Sequence, residues 1–205
     1  PDKAAEAKQR ILAAARDMVA LSGWKDAQIA LIAHRAGVAT GSVYRHFDSK
    51  ADLYAQVLAM VSQKEAAVIA AIVDSEGMAA QRLVDAIFMF CLRALRGRRL
   101  AYALIAEPCE PEIDQARLRY RAALADQFAR LIAQGVKNGE FNAIDPSLGA
   151  SCVTGAFMEA LVAPLAKSGR QDTAAMRATA QAIAALVARM MFKQAKLTFV
   201  SKGLK

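Results

Sequence analysis

A chain of 205 residues has room for one large domain or for a small domain joined to a medium one, and either arrangement can bury a substantial core. Apolar residues make up 56% of it and aromatic ones only 6%; much of the apolar share is alanine, which loses no side-chain entropy on entering a helix, so an all-α fold with little or no sheet is predicted. Lysine and arginine number 27 against 19 acidic residues, a net +8 at pH 7 that suits a polyanionic partner such as nucleic acid or an anionic membrane surface, or equally an ordinary solubilising shell.

No stretch approaches the roughly 18 uninterrupted apolar residues of a membrane span, and the N-terminus is polar rather than signal-like. A soluble, cytoplasmic protein with no membrane partner is expected. Pro1 stands where an initiator methionine would, so some native residues are expected ahead of it. Cys91, Cys109 and Cys152 are odd in number, widely spaced and free of any C-x-x-C pairing, so no disulfide framework, zinc site or other cofactor is expected.

In chain order, Ile11, Leu12, Ala15, Met18, Val19 and Ser22 recur at helical spacing until Gly23, which predicts a first amphipathic helix over 4–22 with Trp24 in the turn after it. Asp26 is a plausible N-cap for a short second helix whose inner face is Ile29, Ile32, Ala33 and Ala36, ended by Gly37. Residues 38–47 follow, too short to stand alone but placing Val38, Val43 and Phe47 where a small three-helix core needs them. Asp48 or Ser49 then caps a long helix running through Leu53, Val57, Val61 and Val68 toward Val73, with Asp52 supporting the cap. Beyond residue 74 the pattern changes to longer helices over roughly 79–95, 98–106, 112–137, 146–167 and 172–195, separated by short Gly, Pro and Asn breaks. A division into a head over 1–50 and a body over 51–205 is expected, joined rigidly by the long fourth helix.

Two short helices around a tight glycine turn form the unit in which the second helix enters the major groove while the first crosses the backbone. With Val38 and Val43 facing inward, Thr40, Gly41, Tyr44 and Arg45 are left outward, on the surface that must read DNA. Gly41 removes bulk so that the backbone can approach closely. Arg45 has the fork to grip a guanine or to clamp a phosphate.

The run Ile29-x-x-Ile32-Ala33-x-x-Ala36-Gly37-Val38, followed by Gly41-Ser42-Val43-Tyr44-x-His46-Phe47-x-Ser49-Lys50-x-x-Leu53, resembles the TetR (tetracycline repressor) family of regulators. That resemblance implies phosphate contacts from Tyr44 and His46, a backbone contact from Lys50, and Thr40, Gly41, Ser42 and Arg45 nearest the base edges of a pseudo-palindromic operator. The chain departs from the pattern in one place. Where the family has threonines opening the second helix it carries Ala27 and Gln28, so a phosphate contact there comes from the Gln28 amide or is absent. Tyr44 also reads as a half-buried packing residue, and His46 as a plain surface histidine. Lys3, Lys8 and Arg10 suit either a DNA-contacting arm or a solvated helix face.

A helix-turn-helix reads only a few base pairs, so a symmetric pair of copies is expected. The helices over 146–167 and 172–195 are apolar around more of their circumference than one partner covers, which predicts a homodimer through a four-helix bundle; the alternative is that both faces are used inside the monomer. The resemblance further implies a small-molecule effector pocket between about 79 and 165, and its candidate lining is Phe88, Met89, Leu92, Tyr102, Leu104, Tyr120, Phe128, Phe157 and Met158, most of which also read as plain core; such a lining suits an apolar or aromatic effector.

The Glu107-Pro108-Cys109-Glu110-Pro111-Glu112 turn reads as a capped interhelix loop rather than a metal or redox site. Arg93, Arg96, Arg98 and Arg99 read as a solvated helix end rather than an anion site. No enzyme is expected: both histidines, His34 and His46, fall in the DNA-binding unit, and no phosphate loop or nucleophile motif appears elsewhere. The leading functional reading is therefore a ligand-responsive repressor. A helical small-molecule-binding protein that does not bind DNA is the alternative.

Overall fold

The computed structural model describes residues 3–167, 169 and 172–192, and among these there is helix and turn but no strand. Nine α-helices follow one another: α1 (Lys3–Asp26), α2 (Ile29–Ala36), α3 (Thr40–Val43), α4 (Lys50–Val73), α5 (Ala79–Arg96), α6 (Arg98–Ile105), α7 (Pro111–Lys137), α8 (Pro146–Ala166) and α9 (Thr173–Ala188), with a 3₁₀ turn over Arg189–Met191. The all-helical expectation holds. The last predicted helix is shorter than its periodicity suggested, giving way to the tighter turn at Arg189; residues 193–195 of that prediction lie outside the described residues.

Two apolar clusters organise the molecule. One gathers Ile11, Ala15, Val19 and Trp24 of α1 with Ile32, Val43, Phe47, Leu53 and Val57, and also takes in Ala103, Ile113 and Ala116 from much later in the chain. The other fills the body with residues of α4, α5, α7, α8 and α9, including Phe90, Phe128 and Phe157, whose rings meet at 4.9 and 5.7 Å. Helix α4 belongs to both, which makes it the shared beam between head and body. Its start is fixed as expected: the Ser49 hydroxyl accepts the Asp52 amide proton at 3.0 Å, and the Asp52 carboxylate accepts from the Asp48 amide at 3.1 Å.

The helical run of α1 breaks at Gly23 as expected, where φ 83° and ψ −177° are not helical; a short further turn carries the buried Trp24 on to Asp26. Asp26 accordingly does not cap α2. Ala27 is fully buried, its carbonyl accepts the Tyr54 hydroxyl proton, and Gln28 becomes the extended N-cap residue, with no side-chain bond to the helix.

Helices α4 and α8 are long enough and, at mean hydropathies of 1.4 and 1.5, apolar enough to cross a membrane by composition alone, which the count of uninterrupted apolar residues had not suggested. Both are packing helices here: α4 bridges the two clusters and ion-pairs through Glu65, and α8 buries Val153, Phe157 and Leu161 in the body.

Candidate nucleic-acid interface

The head is built so that one surface of α2 and α3 is left free. Ile32, Ala33 and Ala36 turn inward, and Gly37 (φ 68°) then closes α2 with its own amide on His34 and that of Val38 on the Ala33 carbonyl. Val38 is half-buried against the cluster, and Val43 and Phe47 are buried within it. Helix α3 is a single turn of four residues continued by hydrogen-bonded turns, with the His46 and Phe47 amides on the Val43 carbonyl at 3.0 and 3.1 Å.

That scaffold leaves Gln28, Thr40, Gly41, Tyr44 and Arg45 exposed, Tyr44 by 53%, while Ser42, His46 and Lys50 are half-buried. Tyr44 therefore does not pack inside the head. Lys50 stands with its ammonium 5.3 Å from the Tyr54 ring centre, and Lys8 lies 5.4 Å from that of Phe47, so both cations rest on aromatic faces of the head. Lys3, Lys8 and Arg10 all lie within α1, Lys3 and Arg10 exposed and Lys8 half-buried.

Gly41 is the informative residue. A Cβ added there meets no protein atom within 4 Å, and its φ is not in the left-handed region, so neither packing nor backbone geometry of this chain calls for glycine. An exposed helical glycine costs about 0.5–1 kcal/mol relative to alanine, a cost that the packing of the described residues does not account for.

Behind the head, α6 connects two sites. On one side the Trp24 indole donates to the Ala103 carbonyl at 2.7 Å and Arg99 donates to the Ser22 carbonyl at 2.7 Å, tying α6 to α1. On the other, Gly97, Leu100, Leu104 and Ile105 wall a cavity of about 90 Å³ against α4, α5 and Tyr120. Glu65 and Arg93 line it too, paired through two 2.7 Å bonds that hold the Arg93 guanidinium in its charged form. Among the described residues the buried Tyr120 hydroxyl has no partner, and burial, followed by the Glu65 charge, raises its pKa.

Of the nine side chains suggested as pocket lining, Leu104 and Tyr120 border this cavity. Met158 borders a different one between α7 and α8. Leu92, Phe128 and Phe157 are buried in the body core; Phe88, Met89 and Tyr102 are half-buried, with the Arg177 guanidinium over the Phe88 ring at 5.4 Å. Sequence reasoning named Leu104 of the α6 wall but missed Glu65, and read Arg93 as part of a solvated helix end. The Glu65–Arg93 pair joins residues 28 apart in the chain, and periodicity does not report such pairs.

The four arginines near Gly97 do not form one cluster. Arg93 pairs with Glu65, Arg98 reaches the Leu165 and Gly169 carbonyls, and Arg99 holds Ser22. In the 107–112 turn, Pro111 opens α7 with Glu110 as its N-cap residue, and the Cys109 thiol is pushed up to about 11 by burial, despite Arg117 beside it.

Known proteins with this arrangement are numerous. Residues 11–57 match the model described as bacterial regulatory proteins, tetR family, and residues 78–184 match the tetracyclin repressor-like C-terminal domain. The HTH-type transcriptional regulator TtgW of Pseudomonas putida, described as uncharacterized, is 42% identical over 57 residues, a match spanning 28% of this chain and 42% of that protein. Among solved structures, the fatty acid degradation regulator FadR from Bacillus halodurans superposes with a TM-score of 0.77 at 20% identity, covering 88% of this chain and 93% of that one. FadR from Bacillus subtilis in complex with stearoyl-CoA gives 0.76 at 19%, covering 88% and 97%. RolR in complex with resorcinol gives 0.68 at 20%, covering 92% and 89%. A helix-turn-helix head matched over its core positions, followed by a helical domain matched across more than half of the chain, places this protein in the TetR family of DNA-binding transcriptional regulators.

Proposed function

We propose that this chain is a cytoplasmic, homodimeric repressor that leaves a pseudo-palindromic operator when a small apolar or aromatic effector enters the body. Residues 1–50 act as the reading head, and residues 51–205 carry the effector site and the dimer contact. The observation that carries the DNA-binding half is the free surface of Gly41, Tyr44 and Arg45, with a glycine that the fold itself does not need.

Dimerisation through α8 and α9 is supported by an apolar groove between them, lined by Ala156, Ala160, Ile183, Leu186 and Met190, with Leu186 69% exposed. A monomeric mass in solution would contradict this part of the reading.

The effector reading rests on α6. A cavity of about 90 Å³ is smaller than the roughly 300–1,000 Å³ of drug-sized ligand sites. An effector must therefore widen it, and its movable wall is the helix whose opposite face holds Trp24 and Ser22. A ligand that binds only the widened form shifts the population by its differential affinity for the two states, and the head moves with α6. Stearoyl-CoA and resorcinol, bound by two proteins of the same fold, bracket the sizes of effector to be tried.

The experiment is a gel shift with the DNA upstream of the protein's own gene. Retarded complexes that weaken steeply as salt rises are expected, because several phosphates are neutralised on binding. No shift, or affinity indifferent to salt, would mean a helical ligand-binding protein without DNA. For the pocket, Tyr120→Phe removes a buried hydroxyl that has no partner, so the ligand-free protein should gain about 1–2 kcal/mol in a denaturant titration. A loss of stability would show that the hydroxyl is already satisfied and does not wait for an effector.

A further inference from the structure

A second cavity, of about 260 Å³, lies between α7 and α8, apart from the one walled by α6. Its walls are mostly small and apolar: Ala122, Ala125, Gly155 and Met158. Three polar residues line it as well, Arg121 on α7 and Ser151 and Thr154 on α8, and of these Arg121 and Thr154 are incompletely satisfied. Thr154 is 4% exposed, and its hydroxyl has no partner among the described residues. The usual refuge of a helical threonine is the carbonyl four residues earlier, a bond that the nearby Ser151 does make to Ser147 at 3.0 Å; Thr154 does not take it. Across the cavity, Arg121 uses Nη2 to hold the Ile105 carbonyl at 3.0 Å, yet its buried Nε has no acceptor.

A buried hydroxyl and a buried guanidinium N–H without partners, on two residues that line one cavity, are costly to leave so. Among the described residues no carboxylate reaches ion-pair distance of Arg121. The charges that bear on it are Arg117 and Asp114 on its own helix and Glu159 on α8. Burial, then the Arg117 charge, lowers its pKa, while Glu159 and Asp114 oppose them. The site thus has one cation partly offset by nearby acids, which suits a single negative charge better than two.

We infer that this cavity is a second ligand site that takes a small monocarboxylate with an apolar body, its oxygens accepting from Arg121 Nε and the Thr154 hydroxyl and its hydrocarbon lying on Met158 and the alanines. The position gives binding a consequence. Arg121 also anchors the Ile105 carbonyl at the last residue of α6, so a carboxylate that draws the guanidinium pulls on the end of the helix that carries Ala103 and its bond to Trp24. Occupancy here and in the first cavity would act on the same helix from two places.

Hexanoate is the probe, titrated calorimetrically into the full chain beside inorganic phosphate. Thr154→Val keeps the side-chain shape and removes only a hydroxyl that has no partner, so without hexanoate it should melt no lower than the parent. With hexanoate it should bind at least tenfold more weakly, as should Arg121→Lys, which keeps the charge and loses Nε. Tyr120→Phe, in the first cavity, should bind as the parent does, and phosphate should give no measurable heat. Absence of hexanoate binding, or unchanged affinity in both Thr154→Val and Arg121→Lys, overturns the proposal. Loss of binding in Tyr120→Phe with Thr154→Val unaffected moves the carboxylate to the first cavity and ends this inference, leaving the effector reading intact. Phosphate binding as tight as hexanoate overturns the carboxylate assignment.

Discussion

Arg45→Ala is expected to weaken operator binding by about 5- to 150-fold, equivalent to about 1–3 kcal/mol, and to relax preference at one base pair. The side chain is exposed on the turn that extends α3, and no partner within the chain competes for it among the described residues. A guanidinium in that position has two uses. If it grips a guanine edge, its loss lowers specific binding while binding to unrelated DNA changes little. If it clamps a phosphate, specific and unrelated DNA weaken together, and the slope of log affinity against log salt falls by about 0.9. Lys50→Ala, at the start of α4, is the comparison, for which the phosphate pattern is expected. Anisotropy titrations on the operator and on a scrambled duplex, each at several salt concentrations, separate the cases. Equal affinity, base preference and salt slope in Arg45→Ala and the parent would remove Arg45 from the interface.

The features that were legible in the sequence are local ones. The inward set Ile32, Ala33, Ala36, Val43 and Phe47 follows from helical spacing, and fixing it fixes which residues are left over on the outside. Ser49 as the cap of α4 is likewise a matter of three residues. What was not legible depends on partners far along the chain. Asp26 is a better capping residue than Gln28 by chemistry, but the burial of Trp24 and Ala27 by α4 and α6 overrides that preference. The indole–Ala103 bond spans 79 residues, and the Tyr54–Ala27 bond spans 27. The pocket list failed to separate core from lining for the same reason. Leu92, Phe128 and Leu104 look alike in a helical pattern, and only the way α5, α6 and α7 meet decides which of them borders a void. The arginines around Gly97 show the same limit, since proximity in sequence concealed three different partners.

Gly23 gives the test with the largest expected effect on the fold. Its φ of 83° with ψ of −177° lies in a region that is essentially reserved for glycine, and a side chain forced there costs about 1–3 kcal/mol. Space is short as well: a Cβ would run into both carboxylate oxygens of Glu107 and stand 2.8 Å from Arg99 Nη2, so both side chains would have to move. Arg99 is one of the two ties between α6 and α1, and Trp24, the other, is the next residue. Gly23→Ala should therefore destabilise by about 3 kcal/mol, which for a chain of this size lowers the thermal midpoint by roughly 6–12 °C. Gly77→Ala is the control, because its φ is also positive, at 108°, but nothing lies within 4 Å of the added Cβ, leaving backbone strain as the only penalty. The difference between the two variants measures the crowding at the head–body junction. Adding Glu107→Ala to Gly23→Ala should return part of that difference and none of the backbone share. If Gly23→Ala melts no lower than Gly77→Ala, the junction is loose, and a displacement of α6 by an effector would no longer be transmitted to Trp24 and the reading head.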